Sequence, residues 1–392
     1  MDVPRLRFDG FSENWIKNTI QYFIDNKSII GHLDGNHGAL YPKSNEFSKA
    51  GIPYITANDF ITGRIDFNKC KYLPEAKAKL FKKGIAKNGD VLFAHNATVG
   101  PCAILRTSFS YVILSTTATY YRCDLNKINN IFLLYFFQSD FFVSQYSSIM
   151  SQSTRNQVPI TTQRKLSLAL PILPEQTKIA NFLTAIDEKI TQLTQKCDLL
   201  AQYKKGVMQQ IFSQKLRFKD DDGREFPDWE SGLLGDFSEF IQSGKSNKRN
   251  ENGDFVLYGS TGEIGFCSQF DYQGKNILIA RVGANAGYLY EVDGNYCVSD
   301  NTLIIHLNKP NNYSFFYNLL KFLNLNKLVF GSGQPLITGG QLKNLNILVP
   351  SIHEQTKIAN FLTVIDNKIA QAQAQLDAVK RYKKGLLQQM FV

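Results

Sequence analysis

The sequence predicts an α/β protein: two α/β domains separated by two long helices that pair as an antiparallel coiled coil, with pseudo-two-fold symmetry. Three observations carry this expectation. Glu175-Gln-Thr-Lys-Ile-Ala-Asn-Phe-Leu-Thr184 returns letter for letter at 354–363. The match runs on without a gap to Phe212 and Phe391, at a constant offset of 179, with 23 of 38 positions identical. That is an internal duplication. Within each copy, apolar residues recur every seven positions, the period of a coiled-coil seam. Outside the copies, short β-branched or aromatic runs alternate with turns and helical stretches, as in an α/β domain.

Taken in order, residues 1–172 form the first domain. Leu6-Arg7-Phe8 with Trp15 opens it. Val91-Leu-Phe-Ala94 and Tyr111-Val-Ile-Leu114 read as strands, and Ile131 to Tyr146 reads as helix. Residues 173–214 form the central helix. Ile179, Ile186, Leu193, Leu200 and Val207 make its stripe, and Phe182 and Tyr203 are expected to widen it. Pro174 suits a first helical turn, where its missing N–H costs nothing. About 38 residues at 1.5 Å each span about 57 Å, too long to lie inside one domain of this size.

Residues 215–349 form the second domain, opened by Leu216-Arg217-Phe218 with Trp229. Asn276-Ile-Leu-Ile-Ala280 reads as a strand that echoes 91–94, and Tyr313 to Leu323 as a helix. Gln157-Val-Pro-Ile-Thr161 is echoed by Gln334-Pro-Leu-Ile-Thr338. Residues 350–392 form the distal helix, with Ile358, Phe361, Ile365, Val379, Tyr382 and Leu386 on its packing side. Ser351 and Glu354 have capping-box spacing. Gly206 and Gly385 fall at matched positions. A helical Gly is costly, so its repetition implies that another backbone comes close or that the helix bends. Packing alone explains the apolar stripe but not the identical polar residues, which suggest a surface used twice.

The 392 residues suffice for two or three cored domains. Lys plus Arg exceed Asp plus Glu by 44 to 34, a net charge of +10 that favours an acidic partner such as nucleic acid. A duplicated chain also suits duplex DNA, whose half-sites mirror protein symmetry. None of the six cysteines forms a Cys-x-x-Cys pair, and no His stands at zinc-finger spacing, so reduced thiols and no metal are expected. Met1-Asp-Val-Pro-Arg-Leu-Arg-Phe8 has no apolar signal core, and no uninterrupted apolar run approaches membrane-spanning length. A cytoplasmic chain is expected.

Catalytic motifs are absent by inspection. Gly244-Lys245-Ser246 lacks the upstream glycine of a phosphate-binding loop, since residue 239 is Glu. Gly283-Ala-Asn-Ala-Gly287 lacks dinucleotide-binding spacing. No Asn-Pro-Pro-aromatic or Asp-Pro-Pro-aromatic tetrad of an amino-methyltransferase occurs. His32, His37, His95, His306 and His353 form no nucleophile or metal constellation. No catalytic residue is assigned.

The chain resembles the specificity subunit of type I restriction-modification systems over essentially its whole length. The resemblance rests on the helix entries Leu170-Pro-Ile-Leu-Pro-Glu-Gln176 and Val349-Pro-Ser-Ile-His-Glu-Gln355, and on the helix exits Tyr203-Lys-Lys-Gly206 and Tyr382-Lys-Lys-Gly385. The Leu-Arg-Phe openings and Phe255-Val-Leu-Tyr-Gly-Ser-Thr-Gly262 add to it. It implies two target-recognition domains, each reading half of a bipartite target in double-stranded DNA. It implies helices that set the gap and dock two DNA-methyltransferase subunits, with two restriction subunits joining. S-adenosylmethionine, ATP and magnesium would belong to those partners, and the methylated base would be adenine at N6, flipped out by the partner.

Base reading needs donors and acceptors at groove edges, whereas phosphate contacts only position. The polar run Ser153, Thr154, Arg155, Asn156, Gln157 and its counterpart Ser332 to Gln334 are the leading candidates. Lys245, Asn247, Lys248 and Arg249 form a basic loop suited to phosphate. Arg281 sits beside a strand end, as do the weaker candidates Asn58, His95, Asn96 and Asn285. Lys77, Lys79, Lys82, Lys83 and Lys87 read as a solvated helix face. Two other readings stay open: a methyltransferase or nuclease with unrecognised motifs, and a coiled-coil scaffold that does not read DNA.

Overall fold

The structure is a computed structural model that describes residues 3–61, 63–151, 156–245, 253–331 and 335–392. The chain forms two compact units, Met1–Leu193 with Gln375–Val392, and Thr194–Ala374. Each combines one α/β domain with parts of both long helices, Leu173–Phe212 and Ile352–Gln389.

In the first unit, an antiparallel sheet runs in the order Ile29–Asp34, Ala118–Cys123, Val91–Asn96, Thr98–Ile104. A second sheet runs Lys71–Leu73, Ile52–Ile55, Val112–Leu114, Ile85–Ala86, with the middle pair parallel. A ribbon pairs Ile16–Thr19 with Ser167–Leu170, closing the domain on its own two ends. The second unit repeats the plan. Its sheets run Ser238–Ser243, Thr302–Leu307, Asn276–Ala280, Leu289–Val292, and Gly262–Cys267, Phe255–Gly259, Asn295–Val298, Tyr272–Gln273, again with one parallel pair. Glu230–Leu233 pairs with Asn346–Val349 as its closing ribbon. The weak echo between 91–94 and 277–280 thus marks the same strand in both domains.

The helix expected from Ile131 to Tyr146 is two helices, Asn130–Gln138 and Asp140–Met150. Ser139 between them is extended, and its hydroxyl caps the second by accepting from Phe142 N. Phe132, Phe136, Phe137 and Phe142 fill the core beneath the antiparallel sheet. Tyr313–Leu323 is one helix, as expected.

The heptad residues line the buried side of both long helices, with Leu200 and Val379 half-buried. The helices pair antiparallel within each unit. In the first, Trp15 lies beside both Glu175 and Phe391, and farther along Asp187 meets Lys383 at 2.7 Å. In the second, Lys204 meets Asp366 at 2.7 Å, and the later Ile211 shares a core with the earlier Ile358.

Three expectations about the helices need correction. Tyr203 and Tyr382 do not widen the stripe; they are 53% and 56% exposed, because they stand one position off the seam. No backbone comes close to Gly206 or Gly385: a Cβ at either would meet nothing within 4 Å. No capping box forms at Ser351, whose hydroxyl has no hydrogen-bond partner, because the Glu354 carboxylate is engaged elsewhere.

That engagement explains the buried identical polar residues, Glu175 with Glu354 and Gln176 with Gln355, which are internal joints rather than a shared outer surface. Glu175 is fully buried and accepts two bonds from Arg7, at 2.7 and 2.8 Å. Glu354 does the same with Arg217, at 3.3 and 2.8 Å. Phe8 meets Phe182 edge-on at 5.5 Å, and Phe218 meets Phe361 at 5.4 Å. The Leu-Arg-Phe openings are therefore clasps on the helix starts. Gln176 accepts from Asn129 N and donates to Pro171 O; Gln355 accepts from Asn312 N and donates to Pro350 O. Asn129 and Asn312 are the N-caps of the helices that begin at Asn130 and Tyr313. Each helix entry thus holds its own domain by one buried charge pair and one buried amide.

Candidate nucleic-acid interface

At one end of each antiparallel sheet the strand ends and loops converge in the same way. In the first unit His95 N donates to Thr117 O, and His95 O accepts from Val158 N. In the second, Arg281 N donates to Asn301 O, and Arg281 O accepts from Ile337 N. His95 and Arg281 are therefore equivalent positions. One turn residue follows in each: Ala97 N donates to Asn156 O with φ +63°, and Gly283 N donates to Pro335 O with φ +79°. These bonds seat the segment 156–158 against one strand end, and 335–337 against the other.

A buried polar network fixes that seat in the first unit. Gln163 accepts from Tyr121 Oη at 2.7 Å and donates to Thr119 Oγ1 and to Val158 O. His32 Nε2 lies 3.3 Å from the same Gln163 oxygen. Burial, only partly offset by that contact, lowers the His32 pKa to about 4. Burial likewise lowers the pKa of His95, and raises that of Tyr121. Sequence reasoning missed Gln163, Tyr121 and His32 in this role; only the position of Gln163 just past the repeated Ile-Thr hinted at it.

A second loop pair lies at the same ends. Gly35 N donates to Ala118 O, and Gly244 N to Thr302 O. Both glycines cross a neighbouring strand end too closely for a side chain. A Cβ at Gly35 would lie 2.0 Å from Leu114 O, and one at Gly244 would lie 2.3 Å from Val298 O. Asn36 is thus the counterpart of Lys245.

Of the proposed contact residues, Asn156, Gln157, Lys245 and Arg281 sit at these sheet ends, although Arg281 also donates to Asp300 O at 3.3 Å. Ser153, Thr154, Arg155, Asn247, Lys248, Arg249, Ser332 and Gln334 lie outside the described residues. Asn285 donates to Ser260 O at 3.3 Å, which ties its loop to the second sheet. The lysines read as one helix face are not one. The helix is only Glu75–Ala78, with Lys77 paired to Glu46 and Lys79 to Glu75. Lys82 and Lys83 stand on the connection to the next strand.

Among the described residues, no group of three or more His, Cys, Asp or Glu side chains could hold a metal, and no helix is long and apolar enough to cross a membrane. None of the cysteines is in a disulfide, and all are buried except the half-buried Cys197.

Comparison with known proteins gives a consistent result. The family profile described as type I restriction modification DNA specificity domain matches residues 30–201 and 227–381. A chain of Methanocaldococcus jannaschii assigned as the type I restriction enzyme MjaX specificity subunit is 26% identical over 385 residues, covering 91% of this chain and 89% of that one. The MjaVIII specificity subunit of the same organism is 23% identical, covering 87% and 88%. In fold, the crystal structure of a type I restriction-modification S subunit from M. genitalium matches with a TM-score of 0.62 at 17% identity, covering 100% and 99%.

Proposed function

Because the chain belongs to the type I restriction-modification DNA specificity family, we propose that it reads a bipartite target in double-stranded DNA, one half-site per α/β domain. The observation that carries this is the doubling. The family profile matches twice, each time over one α/β domain and the first part of its helix, and both domains gather the equivalent strand ends and loops at one end of the same sheet. Two copies of one reading surface suit two half-sites.

On this reading the chain is non-catalytic. The long helices, of 40 and 38 residues, set the spacer and dock two DNA-methyltransferase subunits, and two restriction subunits complete the assembly. S-adenosylmethionine, ATP and magnesium come with those partners, which flip and methylate adenine at N6. The whole complex works in the cytoplasm. With Glu175, Gln176, Lys204 and their duplicates used internally, the exposed repeated residues near the helix exits, Tyr203 with Lys205 on one helix and Tyr382 with Lys384 on the other, are among those left for the methyltransferases. Arg155 and Gln334 supply base or backbone hydrogen bonds, and Lys248 and Arg249 contact phosphate.

The test is a genome-wide map of N6-methyladenine in cells carrying the methyltransferase with and without this chain. The expected result is one new bipartite motif with a fixed gap, present only with the chain. Absence of any such motif, with the two proteins associated, would replace this reading with that of a scaffold.

A further inference from the structure

Resting on that reading, we propose that Lys82 and Lys83, with the loop at Asn36, form a backbone-phosphate contact for the first half-site. Its place corresponds to that of Lys245 in the second unit.

The argument begins from a backbone contact. Gly35 leaves the edge strand Ile29–Asp34 and crosses Leu114 and Ser115 with no room for a side chain. Gly244 leaves Ser238–Ser243 and crosses Val298 and Ser299 in the same way. In the second unit the residue after this crossing is Lys245, and positive charge is built into the loop itself. In the first unit the loop reads Asn36-His37-Gly38 and carries none of that charge. His37 gives its Nε2 to Leu114 O at 2.7 Å and packs on Phe81 at 4.3 Å, so it serves the loop's own fold.

The charge arrives from another segment. Gly84, at φ +62°, lies so close to Gly35 that a Cβ on it would stand 2.7 Å from the Gly35 Cα. Gly84 O also accepts from Leu114 N. This three-way approach sets Lys82 and Lys83 beside the loop. Asn36, His37, Gly38, Leu40, Lys82 and Lys83 line one groove of about 310 Å³. Both lysines are exposed, and no carboxylate among the described residues pairs with either, in contrast to Lys77 and Lys79 on the preceding turn. Asp34, the last residue of the edge strand, accepts from Asn36 N at 3.2 Å. The groove lies at the same end of the sheet as Asn156 and Gln157, because Gly35 and His95 bond to the adjacent Ala118 and Thr117. An open groove with two uncompensated ammonium groups beside a base-reading loop fits a phosphodiester strand, which Lys binds as a point charge.

The experiment uses the full chain in complex with its methyltransferase, and a duplex carrying the motif found by methylation mapping. Binding is measured from low to physiological salt for wild type, for Lys82→Gln with Lys83→Gln, and for Lys82→Arg with Lys83→Arg. The Gln pair is expected to reduce the slope of log K against log salt by about two units, since each neutralised phosphate contributes about 0.9. Backbone protection should be lost at the first half-site alone, the methylated motif should stay the same, and the Arg pair should keep the wild-type slope. An unchanged slope in the Gln pair, with wild type binding its motif, overturns this assignment alone. Failure of the wild-type complex to prefer its motif overturns the reader function, and this assignment with it.

Discussion

Truncation of Glu175 tests the clasp that joins the first domain to the central helix. Its carboxylate is fully buried, takes two bonds from Arg7 and lies 3.4 Å from Trp15 Nε1. Arg7 is itself only 12% exposed at the side chain and keeps one other bond, to Glu13 O. Removing one member of such a buried pair strands the other charge, at a cost of about 3–5 kcal/mol. The small exposure of Arg7 and its bond to Glu13 put Glu175→Ala toward the lower end, at about 3 kcal/mol. Part of that, up to about 1 kcal/mol, is the lost acceptor for Trp15. This part appears equally in the double variant, so it cancels in a cycle of Glu175→Ala, Arg7→Ala and both. The coupling energy should be about 2 kcal/mol. The chain has two tryptophans, one in each unit, so a Trp229→Phe background leaves Trp15 as the fluorescence reporter of the first unit in urea. A coupling below about 1 kcal/mol, the value of exposed pairs, would refute the reasoning.

Acid should weaken the first unit through His32. Its folded pKa is lowered to about 4 from 6.5, so below pH 6.5 the unfolded chain binds a proton that the folded chain refuses. Stability is complete above pH 6.5 and falls toward pH 4 by about 3 kcal/mol; urea midpoints in His32→Gln that fall as steeply as wild type would remove His32 as the cause. Gly244→Ala forces a Cβ to 2.3 Å from two carbonyl oxygens and should cost about 1–3 kcal/mol, read as a lower urea midpoint for Trp229 in a Trp15→Phe background. Lys383→Ala should cost more than Lys204→Ala. Lys383 also meets the Tyr135 ring and Gln138, and its partner Asp187 is less exposed than Asp366. Equal losses in thermal unfolding would contradict the burial argument.

The helices were legible because their signal is local. A seven-residue period appears within one stretch of chain, and the second copy repeats it without a gap. The weak echo at 91–94 and 277–280 was legible for the same reason, since a buried strand and its Gly turn leave a short apolar word. The joints were not. Arg7 and Glu175 stand 168 positions apart, and no propensity links them. The break at Ser139 was hidden because Phe136, Phe137, Phe141 and Phe142 carry one apolar pattern across it, and the cap that Ser139 makes on Phe142 N reveals it. The Lys82 and Lys83 groove was hidden for a third reason. The equivalent loops share one glycine, and the first half brings its charge from a separate segment.

The two interhelical ion pairs have a bearing on how the halves can diverge. Asp187 is bonded to Lys383, 196 positions away, and Lys204 to Asp366, 162 positions away. Each duplicate is held by the other copy's partner and not by its own twin. A change in one copy therefore meets an unchanged residue from the other, and a compensating change has to arise in the other copy. The surrounding domains are free to drift, while these few positions inherit each other's history.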